Sequence, residues 1–397
     1  MKIIERALFP VLKRALSDQR IVVITGMRRV GKTTTLRWLL EQVPSQNKYF
    51  MDLERLDQRR VFQEVNYELV LNYFRNLGLD PAQQMTIAID EIQYAPNLPS
   101  IVKYLHDHDN IKFLLSGSSS YYLKNLFNES MAGRKVVYEM FPLGFGEFLD
   151  FRGISYRRRS TLNEMRFDPL EYERLKGYYD DFVNFGGLPD VVLEPRLEAR
   201  REILQDIFSS YINLDVQTLA DFRKIGELTQ LLKVLAFRIG NKLDYLKLSQ
   251  IVGISRPTLS EYLEFLEKTY VIFQLPAYTN PDRTVALGKK LYFRDNGIAS
   301  ILGHPGEGAL FENAVFNQLK PYGELNYLTR ESQFEVDFVL TPANQDPVGL
   351  EVKYHPVASD DVKLKRVAQR SQIQKSWLIG RVATPSFTDF IWGGLIF

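Results

Sequence analysis

Hydrophobic residues in the first third of the chain form short runs that alternate with amphipathic segments. The run from Ile21 to Ile24 is typical of a buried parallel strand. Helical spacing follows in four apolar residues, which are Leu36, Leu39, Leu40 and Val43. Further strands are predicted over 49–54, over 87–89 and from Ile111 onward. Strands and helices that alternate in this way predict an α/β fold built on a parallel sheet.

The segment between the first strand and the first helix reads GMRRVGKTT, which has the spacing of a phosphate-binding P-loop. Glycines stand where the loop needs positive φ or must approach a polyphosphate closely. We expect Lys32 to reach the β and γ phosphates and Thr33 to bind Mg²⁺. The predicted nucleotide-binding residues are Gly26, Met27, Arg28, Arg29, Val30, Gly31, Lys32, Thr33 and Thr34.

An acidic pair, Asp90 and Glu91, follows the strand predicted over 87–89 and lies 58 positions after Lys32. Ligands bind at the carboxyl ends of strands in open α/β sheets. This Walker B pattern predicts that Asp90 holds Mg²⁺ through water and that Glu91 orients and deprotonates the attacking water. The sequence therefore predicts ATP binding and hydrolysis with Mg²⁺.

Two polar features after this pair have a functional and a structural interpretation. Ser116, or Ser118, would contact the γ-phosphate or the attacking water, or else form a turn that caps a helix. Arg134 would stabilise the nucleotide of a neighbouring subunit in an oligomer, or else form a surface salt bridge.

Composition limits the class of protein. A chain of 397 residues predicts two to four domains, and 45% hydrophobic and 25% charged residues are typical of a soluble globular protein. No apolar run reaches the roughly 20 residues of a membrane helix, and residues 1–16 are predicted to form an amphipathic helix. The absence of cysteine excludes disulfides and thiolate zinc sites and fits a cytoplasmic protein. The net charge of +2 does not by itself indicate a nucleic-acid partner.

The chain resembles bacterial and archaeal AAA-type ATPases that carry a C-terminal domain of unknown function. The resemblance is carried by GMRRVGKTT, AIDEIQ, LLSGSSS, MAGR, FPLGFGEFL and FGGLPDVV, and it spans nearly the whole chain. It implies an ATPase core over residues 1–150 and a role for Pro189 near the adenine. The alternative for this Gly-Leu-Pro segment is a turn that ends a helix through Gly186 or Gly187.

Two helical segments follow the core. Residues 151–225 are predicted to form a lid that closes over the nucleotide. Residues 226–280 read as helix, turn, helix and strand, with Ser255 as the N-cap of the second helix, which predicts a winged helix. Its exposed face carries Arg256 together with three glutamates, so we favour contact with a protein over contact with DNA.

Residues 281–397 resemble the PD-(D/E)xK nuclease core, a restriction-endonuclease-like α/β domain. Asp337 lies in an alternating strand, and Glu351 and Lys353 project from one face of another. With Glu312 from a helix, these carboxylates would bind a second Mg²⁺ or Mn²⁺, and Lys353 would activate a water. The alternative is a decayed site whose acidic residues form salt bridges. A basic helix over 360–370 would follow a nucleic-acid backbone or be solvated.

The leading hypothesis is an ATPase whose conformational change acts on a partner that the sequence does not identify. DNA or RNA remains possible as that partner. One alternative is an ATP-gated, metal-dependent nuclease, and another is a nucleotide-dependent scaffold without catalysis.

Overall fold

The computed structural model describes residues 3–63, 66–118, 131, 133–159, 162–216, 225–279, 287–330, 334–383 and 386–396. The chain divides into two compact units. The first contains Met1–Phe141 and Lys268–Tyr270, and the second contains Pro142–Glu267 and Val271–Phe397. The finer division at residues 150, 225 and 280 stays a prediction. Ser119, Ser120 and Ala132, which belong to the quoted motifs, lie outside the described residues.

The first unit is built on a five-stranded sheet in which the paired strands are parallel. Its strands are β1 (Ile21–Thr25), β2 (Lys48–Asp52), β3 (Met85–Asp90), β4 (Ile111–Gly117) and β5 (Lys135–Glu139). The spatial order is β2-β3-β4-β1-β5, so β4 lies between the strand that leads into the P-loop and the strand that carries Asp90. This order places the ends of β1, β3 and β4 side by side. The predicted parallel sheet is confirmed.

Helices cover the sheet of the first unit, so its central strands are buried. These helices are α1 (Phe9–Ala15), α2 (Lys32–Glu41), α3 (Leu56–Arg60), α4 (Tyr67–Asn76) and α5 (Leu98–His108). Every residue of β1, β3 and β4 is buried, because α2 contacts these three strands and apolar faces of α4 and α5 also pack on the sheet. The helix predicted over residues 1–16 is too long. Helix α1 starts only at Phe9, and Pro10 stands in its first turn, where the missing N–H costs nothing.

The second unit begins with a helical segment. Its helices are α6 (Phe145–Phe151), α7 (Pro169–Phe185), α8 (Pro189–Leu193), α9 (Leu197–Ser210), α10 (Ile225–Ala236), α11 (Tyr245–Val252) and α12 (Arg256–Lys268). Ser255 accepts a hydrogen bond from the Thr258 N–H at 3.2 Å, so it caps the start of α12 as predicted. Strand β6 (Ile272–Leu275) follows and pairs with the antiparallel strand β7 (Lys290–Phe293). The winged helix itself stays a prediction.

A mixed five-stranded sheet forms the C-terminal part of the second unit. The helices are α13 (Asn296–Gly303), α14 (Glu307–Leu319) and α15 (Ala358–Arg370), and the strands are β8 (Glu324–Arg330), β9 (Phe334–Thr341), β10 (Val348–Lys353), β11 (Lys375–Gly380) and β12 (Ile391–Trp392). Strands β8, β9 and β10 pair antiparallel, whereas β10, β11 and β12 pair parallel. Helix α14 contacts β10 and brings Glu312 toward the sheet. No helix in the described ranges is long and apolar enough to cross a membrane.

Candidate functional site

The loop between β1 and α2 has a conformation that requires glycine at both ends of its motif. Gly26 has φ 147°, and a Cβ there would lie 2.2 Å from the Met140 carbonyl oxygen. Gly31 has φ 98° and precedes the first turn of α2 in the left-handed region. Because only glycine adopts these conformations without strain, the loop can keep its backbone close to a ligand. The glycines of the predicted P-loop therefore have the geometry that the motif requires.

Lys32 is the first residue of α2, and its side chain folds back into this loop. Its side chain is buried, and its Nζ donates hydrogen bonds to the carbonyl oxygens of Gly26 at 3.1 Å and Met27 at 3.0 Å. The loop thus encloses an ammonium group at the N-terminal end of a ten-residue helix. Helix N-termini attract anions through their N–H groups and dipole. A phosphate group would complement both charges of this arrangement.

The predicted Mg²⁺ ligands, Thr33 and Asp90, contact each other. Asp90 is the last residue of β3 and accepts hydrogen bonds from the side chains of Ser116 and Thr33. Burial raises the pKa of Asp90, and these hydrogen bonds and the nearby Lys32 oppose that shift. One hydroxyl and one carboxylate are oxygen ligands of the kind that Mg²⁺ prefers, with other positions left for water and phosphate. These residues fit the predicted ion.

Glu91 lies just beyond the end of β3 in a left-handed conformation, with φ 54°. The Gln93 amide nitrogen donates hydrogen bonds to the Glu91 carboxylate and, at 3.0 Å, to the Ser118 hydroxyl. Ser116 therefore contacts Asp90, whereas Ser118 is connected to Glu91 through Gln93. Sequence reasoning missed Gln93, although it stands two residues after Glu91 on a short helical turn.

Gln93 has a further property that distinguishes it from an ordinary core residue. Its side chain is 5% exposed, and its Oε1 finds no hydrogen-bond partner within the described part of the chain. An unsatisfied buried acceptor costs free energy, so the bonds that the amide nitrogen makes to Glu91 and Ser118 must compensate for it. An amide with one unsatisfied oxygen therefore lies beside the predicted catalytic base.

The other two predicted nucleotide residues have partners of their own. The Arg134 Nε lies 2.8 Å from Asp107 Oδ1 at the surface. This is the surface salt bridge given above as the alternative to a role at the nucleotide of a neighbouring subunit. Pro189 is the first residue of α8, and Gly186 ends α7 with φ 76°. The predicted turn that ends a helix is therefore present. Contact of Pro189 with an adenine stays a prediction.

The four residues of the tentative second metal site lie in one cluster, which we name the carboxylate cluster: Glu312, Asp337, Glu351 and Lys353. The Val352 N–H donates to Asp337 Oδ2 at 2.9 Å across the β9–β10 pair. Lys353 Nζ lies 2.5 Å from Glu351 Oε1. The resemblance thus identified residues that are close together in the fold.

Residues that sequence reasoning missed complete the carboxylate cluster. Lys290 on β7 is 2% exposed, and its Nζ lies 2.5 Å from Glu335 Oε1 and 3.5 Å from Asp337 Oδ1. The Tyr292 hydroxyl donates to Glu312 Oε1 at 2.6 Å. Each predicted metal-binding carboxylate therefore has a lysine or a tyrosine of the protein beside it.

Electrostatics in the carboxylate cluster follow from burial and like charge. Burial and the neighbouring charge of Asp337 raise the pKa of Glu312 to about 7 and that of Glu351 to about 7. Among the residues that the structure describes, no group of three or more Asp, Glu, His or Cys side chains is placed to hold a metal ion. These contacts fit the salt-bridge alternative better than a metal centre.

Comparison with protein families agrees with the first site. Residues 18–149 match the family model described as AAA domain. Residues 176–307 and 307–386 match two models described as domains of unknown function, DUF8612 and DUF4143. The matched AAA range contains the P-loop, the Asp90–Glu91 pair, Ser116 and Arg134.

Individual relatives are similar to this chain over most of its length. An uncharacterized protein of Methanocaldococcus jannaschii is 26% identical over 376 residues, which cover 89% of this chain and 81% of that protein. An uncharacterized protein of Haemophilus influenzae is 26% identical over 341 residues, which cover 82% and 80%. A solved structure of the Thermotoga maritima RuvB Holliday junction branch migration motor aligns with a TM-score of 0.31 and 15% identity, over 71% of this chain and 91% of that one. Residues 18–149 of this protein are therefore similar to AAA-type P-loop domains.

Proposed function

We propose that this protein binds ATP with Mg²⁺ at the loop from Gly26 to Thr34 and hydrolyses it. The observation that carries this proposal is the meeting of Lys32, Thr33, Asp90 and Ser116 at the carboxyl ends of adjacent strands. A lysine inside a glycine loop binds phosphate, and a hydroxyl beside a carboxylate binds the associated cation. The match of residues 18–149 to the AAA domain supports the same chemistry.

The roles of the residues follow from their positions. Lys32 and the N–H groups at the start of α2 bind the β and γ phosphates, and Thr33 and Asp90 would hold Mg²⁺. Mg²⁺ supplies positive charge to the phosphate oxygens when it is bound. Glu91 accepts a proton from the attacking water, whose oxygen forms the new bond to the γ phosphorus as the bond to the bridging oxygen breaks. Ser116 keeps Asp90 oriented through its hydrogen bond.

Gln93 acts in this proposal as a positioning residue. Its amide nitrogen fixes the Glu91 carboxylate against Ser118 at the end of β4, so Glu91 presents its oxygens in one orientation. A base that is held in place loses less freedom when the water is aligned for attack.

The test is release of phosphate from ATP with Mg²⁺. Glu91→Gln removes the proton acceptor but keeps the side-chain shape, so we expect kcat to fall by about 100-fold or more while ATP still binds. Glu41→Gln is the matched control, because Glu41 is an exposed carboxylate at the end of α2, and it should retain the wild-type rate. Equal rates for Glu91→Gln and wild type would instead support the scaffold alternative.

The proposal also includes closure of the predicted lid over bound ATP, with Pro189 near the adenine, and a mechanical action on a partner. We do not extend it to phosphodiester cleavage. Lys290, Lys353 and Tyr292 already bond the carboxylates that a nuclease would use for metal, and the described residues hold no group placed for that ion.

A further inference from the structure

A surface cavity of about 670 Å³ lies where the second half of α15 meets the start of β11. We name it the α15–β11 cleft. Seven of its lining residues carry polar or aromatic side chains: Lys365, Gln369, Gln372, Gln374, Lys375, Ser376 and Trp377. None of the residues that line it is acidic. The cleft therefore combines positive charge, amide groups and one large ring.

The charge around the α15–β11 cleft is suited to an anion. Residues 358–377 contain five basic side chains and two acidic ones, and both acidic residues lie in the first turn of α15. Lys365 makes an ion pair with Asp361 at 2.6 Å, in which the lysine is 60% exposed and the aspartate 16% exposed. A pair at this helical spacing whose cation is exposed contributes little, so Lys365 can exchange Asp361 for a phosphate.

Trp377 supplies a rigid flat surface. It lies on β11, whose parallel pairing places it opposite Leu350, and its side chain is only partly buried. The Arg166 guanidinium lies 5.7 Å from the centre of its ring. A tryptophan held on a strand and left partly exposed among lysines and amides is a surface on which a nucleobase can stack.

The combination selects one class of ligand. Glutamine amides both donate and accept, as the edges of bases require, and lysines bind phosphates. An acidic peptide would engage the lysines but has no base to stack on Trp377. In a duplex the faces of the bases are covered by their neighbours and cannot reach a side chain. We propose that the α15–β11 cleft binds single-stranded nucleic acid, with a base stacked on Trp377 and phosphates bound by Lys365 and Lys375.

The test is the fluorescence anisotropy of a labelled single strand titrated with the full chain, without ATP. A strand of about 20 nucleotides exceeds the roughly 4–16 that one binding module covers. We expect Trp377→Ala to weaken binding by about 10-fold and Trp377→Phe to weaken it less. The double change Lys365→Glu and Lys375→Glu should also reduce the slope of log affinity against log salt by about 1.4. Circular dichroism and thermal unfolding check that each variant folds.

The matched control is Lys176→Glu with Lys247→Glu, which makes the same change of charge at exposed positions of α7 and α11. This control should bind like the wild type. Three outcomes would overturn the proposal. The first is no saturable binding up to about 100 μM, a concentration at which nonspecific binding already occurs. The others are wild-type affinity in Trp377→Ala and an equal loss of affinity in the control variant. Displacement of the strand by polyglutamate at equal charge would assign the cleft to acidic polypeptides instead.

Discussion

The nucleotide site and the carboxylate cluster both place acidic side chains at strands beside a buried lysine, yet their internal bonds differ. Lys32 bonds the carbonyl oxygens of Gly26 and Met27, which are neutral. Lys290 lies between two carboxylates, those of Glu335 and Asp337. A ligand anion would share the first lysine with these carbonyl oxygens and with the nearby charge of Asp90, whereas two carboxylates of the protein lie within ion-pair distance of the second.

A pattern of acidic and basic residues in the sequence therefore does not by itself identify a ligand-binding site. The residues that each charged side chain contacts in the fold decide whether a ligand can bind there. Removing one member of a buried ion pair lowers the stability of the fold, because the other charge stays buried without compensation. A lysine held by carbonyl oxygens can instead be used by a ligand. We therefore expect mutations in the carboxylate cluster to change stability and mutations in the nucleotide site to change turnover.

The largest effect is expected from Lys290→Met. Asp337 and Glu335 would lose their buried cation, so the free energy of unfolding should fall by about 3–5 kcal/mol in urea denaturation. Lys242→Met is the matched control, since Lys242 also lies near Glu335, at 3.9 Å, but is 41% exposed, and it should cost less than about 1 kcal/mol. Similar losses in the two variants would show that Lys290 does not hold the cluster together.

A second prediction concerns pH. The pKa of Glu312 rises from 4.5 to about 7 in the folded chain, so between these values the unfolded chain has lost a proton that the folded chain keeps. Stability should therefore fall as pH rises through this window. Glu312→Gln removes the titration, so from pH 5 to pH 8 it should lose less stability than the wild type, by roughly 2 kcal/mol. Urea denaturation at both pH values measures this.

Glu173→Gln provides the control for that series. Glu173 is an exposed carboxylate on α7, so its removal should leave the dependence of stability on pH unchanged. If the stability of Glu312→Gln depended on pH in the same way as that of the wild type, the raised pKa assigned to Glu312 would be contradicted.

In the nucleotide site the corresponding test is Gln93→Ala. Glu91 would lose the amide that orients it, so we expect kcat to fall by about 10-fold. KM for ATP should stay unchanged, because Gln93 acts on the base and not on ATP binding. Steady-state phosphate release measures both constants. Gln42→Ala, at the end of α2, should leave both at the wild-type value. A rise of KM without a fall of kcat would mean that Gln93 supports the loop rather than the base.

The smallest effect is expected at Arg134. Its salt bridge with Asp107 is at the surface, so Arg134→Ala and Asp107→Ala should each leave stability close to that of the wild type. We expect turnover per chain to stay within about twofold of wild type, since nothing else in the described contacts ties Arg134 to the site. A loss of 1000-fold or more, with activity that rises more than linearly with protein concentration, would instead establish the role in trans.

The strands that carry the first site could be predicted because their signals are local, while the roles of its residues stay predictions. Apolar runs predicted β1, β3 and β4, and the glycine spacing and the Asp90–Glu91 pair follow directly from those strands. The partners in the carboxylate cluster were not predictable in this way. Lys290 is more than forty positions from Asp337 and Tyr292 is twenty positions from Glu312, and only the fold of the second unit brings each pair together. Gln93 was missed for a different reason, since its role depends on which way an amide points.

Calorimetric titration of the full chain with ATP and Mg²⁺ tests the central claim most directly. Wild type should bind one ATP per chain saturably, and Lys32→Ala should bind at least about 100-fold more weakly, because a loop that has lost its ammonium group cannot hold the phosphates. Arg37→Ala, an exposed cation on the same helix, should bind like the wild type. No saturable binding by wild type, or equal binding by Lys32→Ala, would contradict the account.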